Sequence, residues 1–151
     1  MVAPCDDDHV EQHDVEAVRA ANAAFYSAFE AGDLDAMADV WEHSDRIAVT
    51  HPGWPTLRGW PSVAGSWDAI FRNTPYIQFV LTDARVDVEG DSAWVSVTEN
   101  ILQGDDLHDS SVAALNLFVR RPQGWRLVLH HGSPVGRAPV GDADLDDGLP
   151  G

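Results

Sequence analysis

Two histidines lie where extended segments of the chain give way to rigid turns. His51 follows the alternating, β-branched segment 46–50 and precedes Pro52, and His131 comes shortly before Pro134. An imidazole, with an unperturbed pKa of about 6.5, can accept or donate a proton at neutral pH. Proline and glycine fix the backbone beside both rings, which a positioned acid–base group requires. We therefore interpret His51 as a catalytic base or acid and His131 as its catalytic partner. For each of them, a hydrogen-bonded structural histidine is the alternative.

The choice of His131 over its neighbour His130 rests on strand alternation. Successive side chains of a β-strand point to opposite faces of the sheet. One face of segment 125–133 holds His131 and is otherwise mostly apolar, whereas the other face holds His130 together with Arg126. The apolar residues on the first face are Trp125, Leu127 and Leu129. Because the apolar face should be buried, we expect His131 to face the interior.

Three polar residues of the predicted strands are further candidates. Glu99 and Asn100 point to opposite faces of one strand, and alternation alone leaves open which of them is internal. A buried Glu99 would have a raised pKa and would be an acid–base candidate, but we expect it to be solvated and Asn100 to bind substrate. Asn116 is predicted to orient a substrate carbonyl, with a hydrogen bond inside the core as the alternative.

Aromatic side chains are predicted to form the walls of a substrate pocket. The chain has six tryptophans, and large aromatic rings dominate the surface that pockets and cores bury. Trp41 and Trp67 lie on predicted helices, where plain packing is the alternative, and Trp54 follows a glycine in a turn, where packing explains it less well. Together with Tyr26 on the first helix, they complete the predicted substrate-binding set.

No metal or cofactor is predicted. A zinc site built on His51 and His131 would need a third protein ligand, and no spacing in the sequence indicates one. The chain has no phosphate-binding glycine loop, no nucleophile-elbow motif and no Cys-x-x-Cys motif. Cys5 is the only cysteine, so the printed chain forms no internal disulfide.

The elements that would position these residues indicate an α+β fold. Asp14 is predicted to cap a first helix that ends at Gly32, Asp33 to cap a short second helix, and Gly59 to precede a third helix with Pro61 in its first turn. After Pro75 the apolar period changes to two, which predicts a meander of four strands. The strands are expected at 76–89, 92–102, 111–121 and 125–133. Helices segregated from an antiparallel sheet give an α+β domain.

Several segments resemble one known family. They are FYSAFEAGDLDAMADVW in the first two helices, HPGW after the early strand, and GWRLVLHHGSPV in the last strand. Over residues 14–135 the chain resembles the SnoaL-like branch of the nuclear transport factor 2-like superfamily. The resemblance implies a cone-shaped, curved antiparallel sheet with three N-terminal helices packed on its concave face, enclosing one pocket.

Members of that superfamily include ketosteroid isomerases, polyketide cyclases, dehydratases and proteins that only bind or assemble, so the fold does not decide the function. The isomerases have an Asp-Pro step after the first strand. At the position that resembles it, this chain has His51-Pro52. Their helix-1 tyrosine corresponds here to Phe25, and Tyr26 is turned about 100° around the helix. Ketosteroid isomerisation is therefore not expected. The resemblance implies a cofactor-free isomerase, cyclase or dehydratase that acts on an apolar or aromatic metabolite, or else a non-catalytic dimeric binding or assembly domain.

Charge and composition restrict the partners. The chain has 25 Asp and Glu against nine Lys and Arg, a formal net charge of −16, which disfavours nucleic acid and anionic membranes. Acidic residues crowd both ends, so 1–13 and 136–151 are expected to be flexible tails around a domain at 14–135. No segment is apolar enough to predict a membrane span or a signal peptide, which favours the cytoplasm. A small-molecule ligand and a homodimer are the predicted partners.

Overall fold

The computed structural model describes residues 4–103 and 110–136, with side chains described from residue 11 onward. Three helices and six strands follow one another along the chain. The helices are α1 (Pro4–Ala31), α2 (Leu34–Val40) and α3 (Trp60–Asn73). The strands are β1 (Ala48–Thr50), β2 (Leu57–Arg58), β3 (Ile77–Glu89), β4 (Ser92–Gln103), β5 (Ser110–Arg121) and β6 (Gly124–Pro134). The α+β class is therefore confirmed, and β2 is a strand that the sequence did not predict.

The six strands form one curved sheet in the order β2-β1-β6-β5-β4-β3. The meander from β3 to β6 is antiparallel, but β1 runs parallel to β6, with Ala48 opposite Leu129. The sheet is therefore mixed: the predicted antiparallel meander is present, and one parallel pair joins β1 to it. The parallel pair is possible because one helix and four strands separate β1 from β6, so no tight hairpin forces the two to run in opposite directions.

Helix α1 begins at Pro4, so the expected boundary between tail and domain at Asp14 falls inside the helix. Asp14 is not a cap. Its buried carboxylate accepts two hydrogen bonds from the guanidinium of Arg120 on β5, at 2.8 and 2.7 Å. The sequence predicted a helix cap at Asp14, but the residue instead forms an ion pair with a distant strand. The expected C-terminal tail lies, from residue 137 onward, outside the described residues.

The corner between α1 and α2 follows its predicted chemistry. Gly32 has a φ of 62°, a left-handed conformation that glycine adopts without steric cost. Asp33 then caps α2, because its side chain accepts a hydrogen bond from the backbone N–H of Ala36 at 3.0 Å. The turn directs Met37 and Val40 into the core.

The helices cover one face of the sheet and form a single apolar core with it. Phe25 of α1, Trp67 of α3, and Phe118 and Leu127 of the meander are fully buried members of this core. Edge-to-face contacts join its rings, with centroids 5.5 Å apart for Phe25 and Trp67. No helix of the described chain is long and apolar enough to cross a membrane.

Strand β6 contains an irregularity that decides which side chains reach this core. Leu117 of β5 lies opposite Leu129, but Phe118 lies opposite Leu127, so Val128 is an extra residue on β6. Such a β-bulge reverses the in-and-out alternation beyond it. Trp125 and Leu127 face inward before the bulge, and His130 faces inward after it.

Candidate functional site

His51 lies just after β1 and is buried, with 3% of its surface exposed. Its Nε2 lies 2.9 Å from Oγ of Ser66 on α3. The Ser66 hydroxyl donates its single proton to the carbonyl oxygen of Val63 at 2.7 Å, so His51 Nε2 must carry the hydrogen and donate to Ser66. Nδ1 is then the ring's unprotonated nitrogen. Burial lowers the pKa of His51 to about 4, which keeps the ring neutral at pH 7.

The second inward-facing histidine is His130. His131 points away from the core and is exposed, with its Nε2 3.3 Å from the Ser133 hydroxyl. The prediction that His131 faces the interior is therefore wrong, because simple alternation was extrapolated through the bulge at Val128. The structure does not bring His51 and His131 together as a pair of interior groups.

His130 is held by Asn116 of β5. Its Nδ1 lies 2.6 Å from Oδ1 of Asn116, and an amide oxygen only accepts, so Nδ1 carries the hydrogen and Nε2 does not. Burial, with a smaller contribution from the neighbouring His51 and His131, lowers the pKa of His130 to about 3. The rings of His130 and His51 are 6.4 Å apart between centroids. Two neutral imidazoles thus lie side by side in the interior.

Glu99 on β4 is buried, with 3% of its surface exposed, so the expectation that it is solvated is wrong. The reason is that α1 covers this face of the sheet and places the Tyr26 hydroxyl 2.6 Å from Glu99 Oε2. Burial raises the pKa of Glu99 to about 7, although the hydrogen bond from Tyr26 opposes the shift. Burial and the adjacent Glu99 also raise the pKa of Tyr26, which therefore stays protonated and donates.

A chain of hydrogen bonds connects Glu99 to His130. The Asn116 amide nitrogen donates to the Tyr26 hydroxyl at 3.2 Å and to the side-chain oxygen of Asn22 at 2.8 Å, while its oxygen accepts from His130. Of the predicted substrate-binding residues, Tyr26 and Asn116 are therefore buried network members. The orientation of Asn116 is fixed from both ends, because it must donate on one side and accept on the other.

Asn100 lies on the opposite, outer face of β4. It donates to the Val80 carbonyl at 2.9 Å and to the Thr82 hydroxyl at 3.0 Å, and it accepts from Ser111 at 2.8 Å. All of these partners belong to neighbouring strands, so Asn100 joins strands on the outside of the sheet. Its predicted place in the substrate pocket is wrong, because the alternation of β4 turns Glu99 inward instead.

His51, His130 and Glu99 line one cavity of about 300 Å³. Its apolar walls include Phe29, Ile77 and Ile101, and Trp54 lies at the same cavity. Within residues 4–103 and 110–136 no group of three or more His, Cys, Asp or Glu has an arrangement that could hold a metal ion. The cavity brings a carboxyl group and two neutral imidazoles together in a small, largely apolar space.

The three candidate tryptophans have different positions. Trp54 lies in the turn after β1, is 40% exposed, and packs its ring edge-to-face against His51 with centroids 5.0 Å apart. Trp67 is fully buried and supports the His51 ring from behind, at 4.7 Å. Trp41 is buried beside Leu127, to which it is joined by an isolated β-bridge, and it does not line this cavity. Only Trp54 is thus at the cavity itself.

Sequence reasoning missed Ser66 and Asn22, and it placed His130 on the wrong face. Asn22 did carry a signal, because it is a polar residue within the apolar stripe of α1, close to Val18 and Phe25. A polar side chain at such a position needs a buried partner. Ser66 had no such signal, since serine is common on exposed helix faces.

Comparison with known proteins supports the assignment of the fold and the family. Residues 18–137 match the family model of the SnoaL-like domain. A proposed dehydratase of the nuclear transport factor 2-like family from Streptomyces avermitilis is 45% identical, with a TM-score of 0.79 over 83% of this chain and 99% of that chain. A proposed calcium/calmodulin-dependent protein kinase type II association domain from Thiobacillus denitrificans is 34% identical, with a TM-score of 0.74 over 78% and 94% of the two chains.

Two more distant proteins share only parts of this likeness. A ketosteroid isomerase-like protein from Erwinia carotovora atroseptica is 18% identical with a TM-score of 0.66 over 82% of this chain and 98% of that chain, which is a likeness of fold alone. The F-box protein SKIP8 of Arabidopsis thaliana is 25% identical over 117 residues, 78% of this chain, and the chain spans about half (49%) of its length. The match to the family over residues 18–137 is decisive: the chain belongs to the SnoaL-like domain family of the nuclear transport factor 2-like superfamily.

Proposed function

We propose that the protein is a cofactor-free acid–base enzyme that removes water from a small apolar or aromatic hydroxy-carbonyl compound. One observation carries this proposal: Glu99, a carboxyl whose pKa burial raises to about 7, shares a cavity with two neutral imidazoles. A proton-transfer group works best when its pKa lies near the working pH. A buried titratable group with a shifted pKa in a cavity is a typical feature of an active site.

Glu99 is a better proton carrier than His51, which the sequence favoured. Burial lowers the pKa of His51 to about 4, so its neutral ring is a weak base, whereas the Glu99 carboxylate has a much higher proton affinity. In the proposal, His51 therefore orients the substrate by accepting a hydrogen bond through Nδ1. His130 has the same role through Nε2, and Tyr26 holds the Glu99 carboxyl in place.

A single carboxyl can complete the proposed dehydration. The Glu99 carboxylate takes the proton from the carbon next to the carbonyl, and the electron pair of that C–H bond forms the new C=C bond. The C–O bond to the β-hydroxyl breaks, and the protonated Glu99 delivers its proton to the departing oxygen. The products are water and an α,β-unsaturated carbonyl compound, and Glu99 returns to its starting carboxylate.

The comparisons support dehydration over the isomerase and cyclase alternatives. The relative from Streptomyces avermitilis, 45% identical over nearly its whole length, is described as a proposed dehydratase. The isomerase-like neighbour is only 18% identical. In addition, Phe25 stands at the position that resembles the helix-1 tyrosine of ketosteroid isomerases, and its ring is buried among other aromatic rings.

The test is a dehydration assay with the aldol adduct of benzaldehyde and acetone, a neutral aryl β-hydroxy ketone whose unsaturated product absorbs strongly in the ultraviolet. We expect turnover by the wild type and a loss of about 10²–10⁴-fold in kcat for Glu99→Gln. His131→Ala is the matched control and should keep wild-type activity, because His131 is exposed. Equal activity of Glu99→Gln and wild type, or no wild-type turnover above buffer, would contradict the proposal.

A second candidate is a non-catalytic dimeric binding or assembly domain, and a specific feature favours it. Val80 and Leu115 on the outer face of the sheet are 52% and 39% exposed, and a partner that packs on this face would remove both from water. The relative from Thiobacillus denitrificans is described as a proposed association domain. Dimerisation and catalysis are compatible, and we propose that the protein is a homodimer in either case.

A further inference from the structure

We infer that the cavity of His51, His130 and Glu99 selects an uncharged ligand that donates hydrogen bonds through hydroxyl groups, and that it rejects carboxylates and molecules that only accept. This inference deepens the proposed function by naming the class of ligand at the same site. It rests on which nitrogen of each imidazole carries the hydrogen, and on the charges around the cavity. It does not depend on any reaction taking place there.

Ser66 determines the donor and acceptor ends of His51. Its hydroxyl proton is committed to the Val63 carbonyl at 2.7 Å, so its oxygen can only accept from the ring, which lies 2.9 Å away. His51 must therefore donate through Nε2 and keep a lone pair on Nδ1. Within the described chain, no side chain or backbone group donates to that lone pair.

Asn116 determines which nitrogen of His130 donates and which accepts. The amide nitrogen of Asn116 is used by Asn22 and Tyr26, so its oxygen faces His130 Nδ1, which must donate. His130 Nε2, on the far side of the ring, is left with the lone pair and has no hydrogen-bond donor among the described residues. Since His51 and His130 both line the cavity with ring centroids 6.4 Å apart, one small molecule can reach both acceptors.

The charges around the cavity point in the same direction. Glu99 adds a third acceptor, and the Tyr26 hydroxyl already donates to it at 2.6 Å. Of the other polar donors at the cavity, Ser111 donates to Asn100, and Gln103 and Ser110 are exposed. No arginine or lysine lines the cavity in the part of the chain that the structure describes. A carboxylate ligand would therefore meet lone pairs and a carboxyl group without a compensating cation, in a protein of net charge −16.

Binding of three matched probes by the full chain tests this inference: β-naphthol, its methyl ether and the corresponding naphthoate. All have the same bicyclic frame, and calorimetry measures their Kd values at pH 7.5. We expect β-naphthol to bind at least about tenfold more tightly than the ether, which corresponds to one or two hydrogen bonds, and naphthoate to bind more weakly than the ether. Equal or tighter binding of the ether or of naphthoate would overturn the inference.

Nuclear magnetic resonance of nitrogen-labelled histidine gives a direct second readout. In the free protein, the resonances of His51 Nδ1 and His130 Nε2 should have the high-frequency position of unprotonated imidazole nitrogens. Addition of β-naphthol should move at least one of them to lower frequency, since a donated hydrogen bond withdraws the lone pair, and the methyl ether should not. Protonated nitrogens at these two positions in the free protein would refute the assigned tautomers and with them the inferred class of ligand.

Ser66→Ala removes the acceptor that fixes His51, and Ser66→Thr keeps a hydroxyl as the control. We expect Ser66→Ala to weaken β-naphthol binding by about three- to tenfold without changing the Kd of the ether. Ser66→Thr should restore the wild-type preference. An unchanged ratio of the two Kd values in Ser66→Ala would contradict the role of Ser66, and the wild-type spectra decide the question if this variant does not fold.

The outcomes for ligand class and for catalysis are separable. Tight β-naphthol binding without dehydration of the aldol adduct would leave the ligand inference intact and would refute the proposed reaction. Dehydration of the adduct by a protein that binds the ether as tightly as β-naphthol would support the proposed reaction and would refute the ligand inference. Neither measurement uses the other's substrate.

Discussion

Asn116 and His130 form a buried hydrogen bond of 2.6 Å between Oδ1 of the amide and Nδ1 of the ring. The other end of the same amide donates to Tyr26, which in turn donates to Glu99. One side chain therefore fixes the tautomer of an imidazole and contributes to the position of a carboxyl group. Both ends of the Asn116 amide are thus hydrogen-bonded in the interior.

The first prediction concerns Asn116→Ala. It leaves His130 Nδ1 and the oxygen of Asn22 without partners in the core, and a buried polar group without a partner costs about 1–3 kcal/mol. We expect the free energy of unfolding to fall by about 2–4 kcal/mol in chemical denaturation. Asn100→Ala is the matched control on the outer face and should cost less than about 1 kcal/mol, because water can replace its partners. Similar losses for both variants would contradict the buried network.

The second prediction concerns Glu99 and pH. Its pKa is about 7 in the folded protein against 4.5 for the ordinary side chain. Between these values the unfolded chain ionises before the folded protein does, so Glu99 lowers stability as pH rises from 4.5 to 7. The largest effect is about 3 kcal/mol. We expect Glu99→Gln to gain stability relative to wild type over this range, measured by urea denaturation at both pH values. A constant difference would show that Glu99 is not buried.

The third prediction concerns the two buried imidazoles and has the opposite slope. Burial lowers the pKa of His51 to about 4 and of His130 to about 3, from 6.5. Below pH 6.5 the unfolded chain takes up protons that the folded protein refuses, so these rings lower stability as pH falls from 6.5 toward 4. We expect His51→Gln and His130→Gln each to have a flatter acid limb than wild type. Acid limbs as steep as that of wild type in both variants would contradict neutral, buried rings.

The sequence predicted most of the elements, although not β2, because most of them carried a local signal. Gly32 and Asp33 marked the corner between two helices, and the change to period two after Pro75 marked the meander, since these features depend on residues close together in the chain. The family resemblance was also correct, because it followed whole segments and not single side chains.

The faces of the strands could not be predicted equally well, for a physical reason. The extra residue at Val128 is a property of how β6 pairs with β5, and no residue type in the sequence announces it. Because of this one unpaired residue, His130 lies in the interior, where alternation had predicted His131. Likewise, Glu99 is buried because α1 covers it, which is a long-range contact that alternation along β4 does not contain.

The fourth prediction concerns the ion pair between α1 and β5. Asp14 is buried and accepts two hydrogen bonds from Arg120, which also contacts Asp91 at 3.0 Å and lies 4.5 Å from the ring centroid of Trp125. Asp14→Ala leaves that guanidinium with the exposed Asp91, the Gly90 carbonyl and the Trp125 ring, and we expect a loss of about 2 kcal/mol in unfolding free energy. Asp68→Ala is the control, because it breaks the exposed pair with Arg72 and should cost less than about 0.5 kcal/mol.

The last prediction concerns the homodimer. Val80 and Leu115 expose their side chains on the outer face of the sheet, and a second copy that packs there would remove both from water. We expect sedimentation at micromolar concentration to give twice the chain's 16.4 kDa, and Leu115→Glu to give the single-chain mass, since a charge in an apolar contact has no partner. Ala23→Glu, on an exposed position of α1, is the matched control and should remain dimeric. A wild type of 16.4 kDa would exclude the dimer. A dimer that Leu115→Glu leaves intact would place the interface elsewhere.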